Sequence, residues 1–159
     1  MIKVKVNYKT DKYRLRQVMN NCKKYYLKVG VKDGLEDLNL NNISIYEAYR
    51  RNEFGYPPDN IPERSYIRKP IKDKATQLFE EYGKQIVVSI FKTGVKETLN
   101  DVGKTLENHL TENLHAYRGL DGNWEANAPL TIFMKGFDFP LYADGTLRNS
   151  IGHKVEKGE

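Results

Sequence analysis

At 159 residues and 18.5 kDa, with 39% hydrophobic and 11% aromatic residues, the chain has the length of one domain and too many aromatics for a disordered one. No apolar run approaches the roughly 20 residues that span a bilayer, and the basic start MIKVKVNYKT lacks the apolar stretch and small-residue cleavage site of a secretory signal. A single cysteine, Cys22, excludes an intrachain disulfide and a cysteine-built zinc site.

A mean hydropathy of −0.70 implies a modest core for the length. The net charge of +5 is unevenly spread. Residues 1–32 hold ten Lys/Arg and one acid, a net +9, and residues 33–159 carry a net −4. A basic N-terminal face suits nucleic acid or an acidic protein surface. Lysines on exposed strand edges are equally an ordinary protection against edge-to-edge aggregation.

In chain order, Ile2, Val4, Val6 and Tyr8 alternate with Lys3, Lys5 and Asn7, which predicts a strand over 1–8. A short helix over 11–22 follows, because Leu15, Val18, Met19 and Cys22 make one apolar stripe. On that stripe Cys22 reads as core filler. A second strand spans 24–32, and Asp33-Gly34 opens a loop over 33–43. Ser44 and Glu47 form a capping box for a helix from 45 to Phe54 that stops at Gly55. Pro57, Pro58 and Pro62 break regular structure between 55 and 63.

A long helix is expected over 70–92, with Pro70 suited to its first turn, and Gly94 separates it from a second over 95–116. Together they predict an antiparallel αα-hairpin. Residues 117–146 show no clear period and read as one long irregular loop. Leu147, Ile151 and Val155 share a parity that predicts a third strand over 147–155, before a polar tail at 156–159. The expected fold is α+β: a small antiparallel-rich sheet packed against the αα-hairpin, with long irregular interface loops, in one domain over 1–159.

No motif for chemistry emerges. The glycines form no phosphate loop. His109 and His115, six apart on a helix, point to different faces, and His153 is remote from both. Asp121, Asn123, Glu125 and Asn127 imitate a calcium loop, but Ala126 stands where Gly is needed and Ile132 where the bidentate Glu belongs. No metal, cofactor or catalytic residue is expected. A hydrolase acting through Asp138, Asp144 or a histidine is the weakest alternative.

Two segments are more specified than a plain domain requires. Residues 48–68 contain Asn52-Glu53-Phe54-Gly55 and then Ile61-Pro62-Glu63-Arg64-Ser65-Tyr66-Ile67-Arg68. Residues 127–151 space Asn127, Pro129, Thr131, Lys135-Gly136, Pro140-Leu141, Asp144-Gly145, Leu147 and Ser150-Ile151. Over about residues 27–155 the chain thereby resembles the tail-completion family of tailed bacteriophages, small neck or head-to-tail joining proteins. Ser65 stands where that family has a second Pro, and Asp144-Gly145-Thr146 where it has Asp-Thr-Gly.

The resemblance implies a non-enzymatic virion protein of the phage neck, made in the host cytoplasm. It implies a homo-oligomeric ring, sixfold, that links the tail terminator or tail tube to the head-completion or connector protein, close to DNA in the channel and with no membrane role. A ring needs two different surfaces per subunit, and a basic arm with an acidic body offers such a pair. The interface is expected at Phe54, Tyr56, Ile61, Arg64, Tyr66 and Arg68 in the proline-stiffened turn, and at Phe133, Phe137, Phe139 and Tyr142 in the long loop, since aromatics and Arg most often anchor interfaces. The rival account places these side chains in the subunit's own core. A second function reading is a nucleic-acid-binding module built on the basic N-terminal region with Tyr13, Tyr25 and Tyr26.

Overall fold

A computed structural model describes residues 8–32, 34, 39–40, 43–116, 119–142 and 145–158. Its elements are α1 (Tyr8–Cys22), β1 (Tyr25–Val31), β2 (Asn39–Leu40), β3 (Ile43–Ser44), α2 (Ile45–Phe54), a 3-10 turn (Pro57–Asp59), α3 (Arg68–Thr93), α4 (Val95–His115), α5 (Pro129–Lys135), α6 (Thr146–Asn149) and β4 (Ile151–Lys157). The architecture is α+β, with an αα-hairpin against a small antiparallel sheet.

The central element is α4. It packs on α3, β1 and β4, and Val95, Thr98, Gly103, Leu106, Leu110, Asn113 and Leu114 line its buried side. Gly103 sets the spacing, because a Cβ there would collide with the His153 ring and stand 2.7 Å from Leu27 Cδ1. Gly94 joins α3 to α4 alone, at a φ of +101° that other residues rarely adopt. β1 and β4 pair antiparallel from Tyr25 opposite Lys157 to Val31 opposite Ile151.

The core gathers at one end of this frame. Ile45 and Tyr49 of α2, Tyr66, Leu110 and Leu114 of α4, Trp124, Leu147 and Ile151 are buried together, with Ile67, Ile71 and Leu141 against them. Toward its other end α3 is thinly covered, and no α3 residue is fully buried.

α2 has the predicted bounds. Ser44 Oγ accepts from the Glu47 amide at 3.2 Å, and Gly55 ends the helix at a φ of +76°. α3 starts two residues before Pro70 because a carboxylate caps it, as described below.

Several expectations are corrected. Residues 1–7 of the strand expected over 1–8 lie outside the described residues, and Tyr8 opens α1 instead. The stripe on α1 is not core: Leu15, Met19 and Cys22 are exposed. A sheet with two described strands is too narrow to cover that face. The 147–155 strand is in fact α6 followed by β4. The spacing of Leu147 and Ile151 suits a helical turn as well as a strand, and Ser150 settles the boundary by closing the turn, its hydroxyl donating to the Leu147 carbonyl at 2.6 Å. The expected tail is partly strand, with Gly158 N donating to Lys24 O at 2.7 Å. The long loop contains α5, which starts on Pro129 and ends at left-handed Gly136, φ +76°.

Candidate interaction surface

The turn after α2 is organised by one buried carboxylate. Glu53, 5% exposed, accepts from the Ser65 hydroxyl at 2.7 Å and from the amides of Tyr66 at 2.9 Å, Ile67 at 3.0 Å and Arg68 at 3.0 Å. Arg68 Nε adds a charged bond at 3.2 Å. These donors are the unpaired amides at the start of α3, so Glu53 caps that helix from outside it. Ser65 Oγ also accepts from the Lys69 amide at 3.2 Å. The hairpin before it closes by paired bonds between Tyr56 and Ile61, 2.8 and 3.1 Å, and Gly55 is needed because a Cβ would stand 3.0 Å from Glu63 N.

Arg64 of the first motif segment reaches the two residues just before the second. Its Nε and Nη2 donate to the carbonyls of Glu125 and Ala126 at 3.2 and 3.0 Å. At the end of α5, Lys135 Nζ donates to Phe139 O at 2.8 Å. Burial first, and then the nearby Arg64 guanidinium, pull the Lys135 ammonium below its ordinary pKa. Asp138 Oδ1 accepts from the Asn127 amide at 2.9 Å. Both ends of α5 are thus tied down near Arg64.

The expected interface residues divide accordingly. Tyr66, 1% exposed, and Arg64 are interior, which corrects their reading as surface anchors. The Tyr66 hydroxyl donates to Tyr49 O at 3.3 Å, and burial raises its pKa. Phe54 is exposed with the Arg68 guanidinium stacked on it at 4.3 Å, and Arg51 covers Tyr56 at 4.0 Å. Tyr56 and Ile61 are half-buried in the hairpin. Phe139 and Tyr142 are half-buried with ring centroids 5.4 Å apart, and Phe137 is exposed.

Phe133 is 85% exposed, and with Leu130 at 69% and Met134 at 79% it forms a bare apolar ridge on α5. Leu130 and Met134 escaped the sequence reading, although their i, i+3, i+4 spacing with Phe133 between Pro129 and Gly136 was a usable signal. Phe79, Tyr82, Val87 and Val88 on α3 are exposed as well. They lie in a helix whose periodicity is clear, and only the tertiary structure shows that the described residues leave them exposed.

His153 Nδ1 lies 2.5 Å from Glu107 Oε2 and its Nε2 3.2 Å from Asn100 Oδ1. Burial acts to raise the Glu107 pKa, but the bonds from His153 and Lys104 outweigh it and hold the carboxyl below its ordinary value. His109 is lowered by burial and by Lys74. Among the described residues no three His, Cys, Asp or Glu side chains group to hold a metal, and no helix is long and apolar enough to cross a membrane. Asp144 lies outside the described residues. No protein-family model, curated protein or solved structure matches this chain.

Proposed function

We propose that the chain is a structural subunit of the phage head–tail joint, a tail-completion protein that assembles as a ring between the tail terminator or tail tube and the connector. The carrying observation is that the second motif segment, held at its near end by the Arg64 bonds to the Glu125 and Ala126 carbonyls, carries the α5 ridge of Leu130, Phe133 and Met134 exposed to solvent. Monomers rarely keep so many large apolar side chains on one bare helix, and such patches mark protein contacts. The resemblance supplies the setting, and the geometry supplies a rigid turn whose docking costs little conformational entropy.

Phage lacking this gene are expected to accumulate separate filled heads and tails, and purified protein added to that lysate is expected to restore joined particles. Joined, infectious particles without the protein, or its location in a virion reconstruction away from the joint, would overturn the reading. The nucleic-acid alternative is favoured by a separate observation, that Lys12, Tyr13, Arg14 and Arg16 are all exposed on α1.

A further inference from the structure

A small cavity of about 100 Å³ lies where the first turns of α3 and the last turns of α4 meet the 119–124 loop. At about 30 Å³ per water, it has room for about three waters or for the head group of one side chain, and none for a nucleotide or a larger cofactor. Leu120 and Trp124 give it an apolar wall, and His109 and Asn113 of α4 give it a polar one. Asp73, Asp121 and Lys69 border it as well.

Asn113 carries an unmet demand. The residue is 3% exposed. Its Oδ1 accepts from the Leu120 amide at 2.8 Å, and this bond fixes which end of the side chain is oxygen and which is nitrogen. The Nδ2 at the other end is buried with no hydrogen-bond partner. Buried donors are nearly always paired, because leaving one unpaired forfeits its bonds to water. The cavity that Asn113 lines is where the missing acceptor belongs.

The neighbouring groups narrow the chemistry of that acceptor. An ammonium group has no lone pair to offer Asn113. A carboxylate or phosphate has one, but it would meet the Asp73 and Asp121 carboxylates, and the Lys69 ammonium is drawn to Glu63 at 3.4 Å. Burial first, and then Lys74, lower the His109 pKa, so at neutral pH the ring is uncharged and has one donor and one acceptor nitrogen. We propose that this cavity is a carboxamide pocket, which takes the head group of an asparagine or glutamine side chain or a free small amide. The amide oxygen accepts from Asn113, its NH2 donates to a carboxylate or to the His109 ring, and its planar head packs against Trp124. Ser65 also lines the cavity, so the occupant sits beside the turn that Glu53 organises. Only the identity of the molecule that carries the amide rests on the assembly reading.

Trp124 is the single tryptophan of the chain, so its fluorescence reports on the cavity directly. Propionamide, which carries the glutamine head group, is titrated into the full chain alongside propionate and propylammonium. A saturable change in Trp124 emission is expected with propionamide, with an apparent affinity at least tenfold weaker for the two charged probes. Nuclear Overhauser contacts are expected from propionamide protons to the Trp124 ring, and these are read on the unsubstituted chain. Asn113→Asp keeps an acceptor for the Leu120 amide and removes both Nδ2 hydrogens, and it is expected to abolish the response. A response that rises linearly without saturation, or an absence of Overhauser contacts, would mean that the cavity holds water only and would overturn the proposal. Propionate binding as tightly as propionamide would overturn it too. If phage carrying Asn113→Asp fail to join heads to tails while the purified variant melts normally, the carrier is a neck neighbour, and normal joining makes it a free amide. Joined particles without the protein refute the neck reading and leave the propionamide result untouched.

Discussion

Glu53 shows how one side chain can decide a local fold. Its two oxygens accept one hydroxyl, three amides and one guanidinium bond in a site closed to water. A carboxylate there matches donors on every side. Glu53→Gln places an NH2 group against amides that need an acceptor, and a loss of about 3 kcal/mol in urea unfolding is expected. Two half-buried carboxylates act differently. Lys28, then Lys154 and the Tyr26 hydroxyl, hold Glu156 at a pKa of about 2, and Arg50 and Arg51 do the same for Glu47. A carboxyl whose folded pKa lies below the ordinary 4.5 contributes stability above pH 4.5, and that contribution fades as pH falls toward 2. The urea midpoint is therefore expected to be flat near neutral pH and to drop on acidification. Glu156→Gln should make that acid limb shallower while lowering the midpoint at pH 7.

At the scale of elements, two helical glycines have opposite roles. Gly83, in α3, has open space where a Cβ would go, and Gly103, in α4, meets the His153 ring and Leu27. Gly83→Ala is expected to raise stability by about 0.5–1 kcal/mol through helix propensity alone. Gly103→Ala gains the same propensity, yet it must push α4 off the β1–β4 pair, and a net loss of about 1–3 kcal/mol is expected. Urea titrations of the two variants side by side check this. Equal gains in both would mean that α4 does not approach the sheet as closely as described.

For the whole molecule, the issue is which apolar side chains belong to the subunit and which to its neighbours. Tyr66 is in the core, so Tyr66→Ala is expected to cost about 3–5 kcal/mol. Phe133 touches little of its own chain, and Phe133→Ser is expected to change stability by less than about 0.5 kcal/mol. If Phe133→Ser abolishes particle joining with melting unchanged, the exposed ridge is an assembly surface. Equal melting losses in both variants would return Phe133 to the core. The cations on α1 are testable in the same preparation. If α1 met phosphates, log K for a DNA oligonucleotide would fall with log salt at a slope near −0.9 per phosphate contact. The assembly reading expects no such dependence in fluorescence anisotropy.

Local patterns determined much of this protein from the sequence alone. The Ser44 cap, the Gly55 stop, the Gly94 junction and the repeats of α3 and α4 are set by contacts within a few residues, so they are legible along the chain. Period two located β1, and the two motif segments stood out by composition and order. Other features depended on contacts between residues far apart in sequence. Cys22, Leu15 and Met19 have the spacing of a core stripe, yet burial requires a facing wall, and the described sheet does not reach them. Leu147 and Ile151 suited either period until the Ser150 hydrogen bond ended α6. Arg64 and Tyr66 looked like surface chemistry because charge and aromaticity favour interfaces on average. Only the tertiary structure brought three amides to the Glu53 carboxylate and the Glu125 and Ala126 carbonyls to the guanidinium, the condition under which a polar group can be buried at small cost.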